Sequence, residues 1–484
     1  MAKERRGFTG VPPGWRRWSR SDRGEKGGTG RVPPPVCPPS PRVSPRGLSV
    51  PPLAPVRTRE LLALAFPAAA SALLNNAFRV IDQLAAGSVS TPAQAAIGSC
   101  TFVLIAAYAL HLFVAGGVGP LAARAVGAGD RELARKVLGN ALLGSVGTWA
   151  VVAVVLGGGA SAIAALLGLT GDTAVQAATF LQVIGVLGLP LAVAPTLDAW
   201  FVAHGQTGRM MVLQLSAAVL NAALNPWFIH HLGLGVAGAA LATVVARVPA
   251  TAVGLWLALR PHGAALGRDH TLRRITHIGG PISVNTLAYA VVYFFVLRTA
   301  VSPLGPVVNA ALGIGFSALE GVSYPCFLGL SLAVSSVVGR RLGAGQPEEA
   351  RRAARVALPV MTAIGVGAGL IFWFGARVLC APFTHDPAVL DAAVGYARAL
   401  AWSQPAVAWE ALAEGVLLGA GASRAVFWFS APLNALRVPG AWLAAGPLGF
   451  GAAGVWWTVN LTSFLKAGLK GAMAARGAWD RTRI

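Results

Sequence analysis

The chain has 484 residues, of which 55% are hydrophobic and 12% charged, and its mean hydropathy is +0.63. Soluble proteins carry about 25% charged residues, so this composition excludes a water-facing globule and makes lipid the solvent. The net charge of +21 is gathered in a tail and a few loops, which is a topology signal and not a nucleic-acid footprint.

Residues 1–56 hold eleven Lys/Arg against three Asp/Glu and are rich in Pro, Gly and Ser. Such a segment cannot bury enough surface to fold, and it predicts a disordered basic cytoplasmic tail. Gly14-Trp15-Arg16-Arg17-Trp18 would suit an anionic membrane face; an inert tail or a misassigned start codon is the alternative. No apolar h-region precedes the first span, so that span would serve as the insertion signal.

From Arg57 the apolar spans fall near 60–85, 94–121, 137–160, 174–203, 210–231 and 235–259. A second set follows near 271–300, 306–338, 352–376, 388–419, 424–446 and 450–473. Each approaches the ~20 residues that cross a ~30 Å hydrocarbon core, and apolar residues surround each helix. The expected fold is an all-α membrane protein of about twelve helices, divided as 57–262 and 263–484. The four cysteines (Cys37, Cys100, Cys326, Cys380) have neither metal-ligand spacing nor a paired framework.

Loops after even-numbered spans are basic: Arg124, Arg131, Arg135 and Lys136; Arg209; Arg260, Arg268, Arg273 and Arg274. The same holds for Arg340, Arg341, Arg351, Arg352 and Arg355, for Arg424, and for Lys466, Lys470 and Arg476 at the C-terminus. The other loops are nearly free of Lys/Arg apart from Arg377. Positive-inside then places both termini in the cytoplasm.

An internal repeat runs through the chain. Residues 127–136 read GAGDRELARK and 343–352 read GAGQPEEARR, an offset of 216 that also pairs Asp198 with Glu414, Gly205 with Gly421, Gly235 with Gly451 and Gly238 with Gly454. With a two-residue slip, Pro67 matches Pro281. One register across separate loops predicts two parallel six-helix halves related by an axis along the membrane normal. In the repeated loop, glycines end one helix, and Asp130 and Glu132, or Glu348 and Glu349, begin the next where acids favour the dipole.

These loops, together with AHGQTGR, GAGASRA, GLGVAGAALAT and Asn221 in NAALNPWFI, resemble the multidrug and toxic compound extrusion family over residues 57–475. LEGVSYPCFLGLSLAVSSVVGRRLGAG and QPAVAWEALAEGVLLGAG are most similar to the bacterial branch that includes DNA-damage-inducible members. The resemblance implies two six-helix lobes around a central cavity. It implies an antiporter that exports cationic or amphipathic drugs or metabolites in exchange for protons or sodium, acting as a monomer in the bacterial inner membrane.

Asp82 lies inside the first apolar span, where a carboxylate costs at least ~2.5 kcal/mol and is a functional candidate by default. The resemblance places a cation-coupling aspartate at this distance from Pro67; an intrahelical ion pair with Arg79, or simple solvation at the outer mouth, is the alternative. Asn221 and Asn225 share one helix face before Pro226. Proton-coupled relatives often have Asn-x-x-x-Asp-Pro here, so Asn225 departs from the pattern, and interhelical hydrogen bonding is an equal reading. Glu410, deep in the tenth span, is a candidate for coupling or substrate binding. Asp198 and Glu414 lie near the cytoplasmic ends and suggest a gate or loop contact. Glu320 would form a structural link with Arg298 or Arg247. Tyr289 stands where some sodium-coupled relatives keep a glutamate. With Tyr293, Tyr324 and Trp409 it would wall a substrate cavity or anchor at the interface. His111 fits hydrogen-bonded packing better than a proton relay.

No catalytic, metal or phosphate-loop pattern is visible, so neither enzyme chemistry nor ATP drive is expected. Major-facilitator transporters would carry an Asp-Arg-x-Gly loop after the second span. A lipid-linked flippase of the same superfamily is the remaining alternative, although such proteins usually have about fourteen spans and an Arg-lined cavity.

Overall fold

The computed structural model describes residues 55–87, 89–167, 169–266, 270–384, 386–477 and 479, without certain side chains inside the helices. The basic tail and the Arg79 side chain lie outside the described residues. Twelve helical spans follow the predicted order. The first half comprises α1 Thr58–Gly87, α2 Thr91–Gly127, α3 Arg131–Leu166, α4 (Gly171–Leu187 and Leu189–Ala203), α5 Thr207–Pro226 and α6 Gly235–His262. The second comprises α7 Thr271–Val296, α8 (Pro306–Ile314 and Gly321–Gly343), α9 Pro347–Phe374, α10 (Pro387–Ala401 and Gln404–Gly419), α11 (Ser423–Ala435 and Arg437–Ala445) and α12 Gly451–Arg476.

Not all twelve are uniformly apolar. Among the described residues, eight helices are long and apolar enough to cross a membrane, and α4 is a ninth if its halves, bent by 57°, form one span. The exceptions lie at the end of the chain. α10 and α11 are broken near their middles, and α12 carries Asn460, Lys466 and Lys470 within its apolar stretch. The side chains that lower hydropathy there belong to the polar cluster described below.

Side chains such as Val154, Leu166, Phe374 and Trp428 stand exposed along the helices, an apolar surface that water would not tolerate but lipid does. The halves meet by exchange: α1 packs along α8, and α2 along α7. Small residues permit these approaches. A Cβ on Gly117 of α2 would lie 2.0 Å from the Ile275 carbonyl oxygen of α7.

The repeated loops close one end of the bundle with two-fold likeness. Gly129 and Gly345 hold φ of 66° and 72°, which turns the chain out of α2 and α8, and Asp130 caps α3 by accepting from Leu133 N at 3.0 Å. The tips of α2 and α8 then cross. A Cβ on Gly127 would lie 1.8 Å from Arg340 O, and one on Gly343 would lie 2.2 Å from Arg124 O. Arg124 Nη2 donates to Ala420 O at the end of α10 (2.9 Å). Its repeat mate Arg340 lies against Gly205 at the end of α4, so near that a Cβ there would stand 3.1 Å from Nη1. Each half thus places an arginine on the other half's helix C-terminus, where the dipole favours a cation.

Candidate functional site

The first half builds a carboxylate site from three helices, in the part of the bundle remote from the arginine-rich end. Near its C-terminus α1 presents Asp82, only 7% exposed. α5 presents Asn221 and Asn225 on one face, one turn apart, just before Pro226 interrupts the helix and a π-helical turn, Trp227–His231, follows. Asn221 Nδ2 and Asn225 Nδ2 donate to Asp82 Oδ1 at 3.2 and 3.1 Å, and Thr243 Oγ1 of α6 donates to Oδ2 at 2.6 Å. Among the described residues, the buried Oδ1 atoms of both asparagines have no partner. An amide turned through 180° presents oxygen where it now presents nitrogen. The site can therefore satisfy an anionic carboxylate with donors, or surround a cation with oxygens.

One turn or more away, Arg247 of α6 donates to Gln214 Oε1 and Asn75 Oδ1, both at 2.8 Å, and stacks over Phe78 with its centroid at 4.2 Å. Gln214 in turn donates to Asp198 Oδ2 at 2.8 Å. A cavity of about 20 Å³ beside Asp198, Gln214 and Arg247 has room for a single water. Arg247 is therefore committed within its own half. Among the described residues the expected link from Glu320 to Arg298 or Arg247 does not form, and Glu320 instead accepts a hydrogen bond from the Tyr396 hydroxyl. The π-helical turn Gly315–Glu320 in the middle of α8 carries Glu320.

The second half holds a cluster of opposite character. Glu410 Oε1 lies 3.1 Å from Lys466 Nζ and 2.8 Å from Lys470 Nζ, while Glu414 Oε2 lies 2.9 Å from Lys470 Nζ. Lys470 is fully buried and Lys466 is 7% exposed. This corrects the reading of both lysines as part of a basic C-terminal loop: they face inward from α12 onto α10. Arg437 of α11 donates to Thr462 Oγ1 (2.7 Å), Tyr293 OH (3.0 Å) and Ser463 Oγ (3.0 Å). Tyr289 stacks at 4.5 Å on Tyr293, which also meets the edge of Phe316 at 5.2 Å.

Of the expected cavity residues, Tyr289 and Tyr293 therefore come together, and Tyr324 lies within electrostatic reach of Glu410, Glu414, Lys470 and Tyr108. Tyr108 and Tyr324 are repeat mates, about half exposed, one from each half. Trp409 stands apart from this group and donates to Thr362 Oγ1 of α9 at 2.9 Å. His111 Nδ1 lies 3.2 Å from Thr148 Oγ1, as hydrogen-bonded packing requires. A cavity of about 430 Å³ lined by Trp373, Trp402, Trp456 and Trp457 touches neither polar site.

Thr243, Arg437, Lys466 and Lys470 are the site residues that sequence reasoning missed. A threonine in GAALATVV gives no signal. The lysines did give one: Lys466 and Lys470 repeat the four-residue spacing of Glu410 and Glu414 with opposite charge. Arg437 falls at the 216-residue offset from Asn221.

Two repeated all-helical halves, exchanged pairs of helices and ionisable groups buried between apolar spans define a membrane transporter rather than an enzyme. The MatE family profile matches residues 67–227 and again 281–443, and the chain belongs to that family. It is 29% identical over 443 residues to the probable multidrug resistance protein NorM of Pseudomonas putida, covering 83% of this chain and 91% of that protein. It is 26% identical over 351 residues to a FAD transporter of Shewanella oneidensis, covering 69% and 76%. The fold matches the Vibrio cholerae MATE transporter VcmN in its bent form with a TM-score of 0.79 at 20% identity, covering 87% of this chain and 96% of that one. An outward-facing multidrug resistance MATE transporter matches at 0.81 and 19%, covering 88% and 97%.

Proposed function

We propose that the protein is a secondary antiporter that exports small amphipathic molecules in exchange for a proton or sodium ion, and that the ion binds at Asp82. One observation carries this reading: a buried carboxylate held between α1, α5 and α6 by Asn221, Asn225 and Thr243, with two amide oxygens left unpartnered. A proton on Asp82 removes the charge that the amides and hydroxyl solvate. A sodium ion instead draws on the hard oxygen donors of Asp82, Asn221, Asn225 and Thr243. Either event changes how tightly three helices are tied together, which is the coupling an alternating-access cycle requires. Glu410 is a poor second ion site, because two ammonium groups already neutralise it.

The relatives' names, multidrug resistance proteins and a FAD transporter, support a small-molecule substrate without narrowing it to one charge type. The arginine-rich loops support a bacterial inner-membrane orientation with both termini in the cytoplasm, and the withdrawal of Lys466 and Lys470 into α12 leaves that pattern intact.

Efflux of ethidium from proteoliposomes under an imposed pH gradient, then a sodium gradient, tests the proposal. Efflux driven by one gradient and absent in Asp82→Asn is expected. Undiminished efflux in the variant would remove Asp82 from coupling, and no gradient-driven efflux of any probe would remove the antiporter reading.

A further inference from the structure

We propose that Arg437 docks the carboxylate of an amphipathic substrate. The inference rests on the exporter reading above and adds a substrate class to it.

A guanidinium buried between membrane helices is normally neutralised by an acid. Arg437 is 3% exposed, yet among the described residues no carboxylate oxygen lies within 4.0 Å of it. Its three hydrogen bonds all end on neutral hydroxyls: Thr462, Ser463 and Tyr293. A guanidinium has five N–H donors, so two remain uncommitted. Each acid of this half that it senses is engaged elsewhere. Glu410 holds two lysines, and Glu320 accepts from Tyr396. Arg437 is thus oriented by hydroxyls and left without a direct counter-ion.

Its surroundings supply a second contact. Tyr293 bridges Arg437 to Tyr289, and Tyr289 is 37% exposed. A flat apolar body laid on Tyr289 would direct its carboxylate along Tyr293 to the uncommitted N–H groups, where a planar fork pairs with two oxygens. The position also bears on function. Arg437 stands 216 residues after Asn221, so a fixed cation replaces part of the coupling site in the second half. That fixed charge repels a coupling cation and attracts an anionic group.

The alternative is that Arg437 only ties α11 to α7 and α12. Equilibrium binding to the full-length protein in detergent separates the two, using norfloxacin, which has a carboxylate, and its ethyl ester, which does not. The wild type is expected to bind the acid at least tenfold more tightly than the ester. Arg437→Gln should abolish that difference while ester affinity stays within about twofold. If Arg437→Gln fails to fold, Arg437→Lys carries the test: a point charge without the fork should reduce the preference several-fold. No preference in the wild type, a preference that survives Arg437→Gln, equal loss for both probes, or an unchanged preference in Arg437→Lys would each overturn the assignment. Binding needs no gradient, so failure of gradient-driven efflux would count against the antiporter reading and leave the acid–ester comparison to judge Arg437.

Discussion

The two halves share a backbone plan and differ in how they handle buried charge. In the first, Asp82 is hydrogen-bonded by two amides and a hydroxyl among the described residues. In the second, Glu410 and Glu414 are met by Lys466 and Lys470, and Arg437 stands where the first half has Asn221. A carboxylate solvated by neutral donors can exchange its ion without breaking a salt link. One fixed between two ammonium groups cannot do so cheaply. The backbone plan is repeated and the buried charge is not.

The largest expected effect would break this comparison if it failed. Asp82→Asn should reduce gradient-driven efflux by at least ~100-fold, since the variant loses the titrating carboxylate of the site, while its folding and equilibrium binding of ethidium persist. Glu410→Gln should act in the opposite sense. It leaves Lys466 and Lys470 short of an acid, and removing one partner of a buried pair costs ~3–5 kcal/mol. The expected readout is a marked fall in thermal unfolding temperature in detergent, with Glu410→Gln/Lys466→Gln recovering part of it, since the second change removes the ammonium that lost its acid. A Glu410→Gln variant of normal stability that cannot couple would reverse the roles assigned to the halves.

A finer prediction concerns the amides. Asn225→Leu removes both a hydrogen bond to the charged form of Asp82, worth ~1.5–3 kcal/mol, and an amide oxygen that a sodium ion would draw on, so the ion concentration for half-maximal efflux should rise by roughly tenfold or more if the ion is sodium and fall if it is a proton. Ser430→Ala, at a buried polar position of α11 in the other half, should leave it unchanged.

These contrasts also explain what the sequence could reveal. Hydropathy located the spans because lipid imposes one rule along the whole chain. The GAG loops were legible in both halves because Gly129 and Gly345 need the same left-handed turn. Asp82 was legible because a lone acid in an apolar run is costly. Its partner Thr243 was not, since packing threonines look the same. Lys466 and Lys470 were misplaced for a physical reason: a lysine near a helix end usually snorkels to the headgroups. Only the three-dimensional approach of α12 to α10 turns these two inward.

The smallest expected effects lie where the halves agree. Gly127 and Gly343 occupy the same crossing, and a Cβ on either would meet backbone at 1.8 or 2.2 Å. Backbone cannot swing aside as a side chain can, so Gly127→Ala and Gly343→Ala should each destabilise this closed end by ~1–3 kcal/mol. Arg124→Gln and Arg340→Gln should cost less, ~0.3–1 kcal/mol each, because a cation at a helix C-terminus contributes only that much near water. What matters is equality within each pair. If the end closes as a two-fold device, cross-linking between cysteines placed at the tips of α2 and α8 should slow by the same factor in Arg124→Gln as in Arg340→Gln. A large inequality would mean that the halves differ here too, and that the arginine-rich end is held by one half rather than by both.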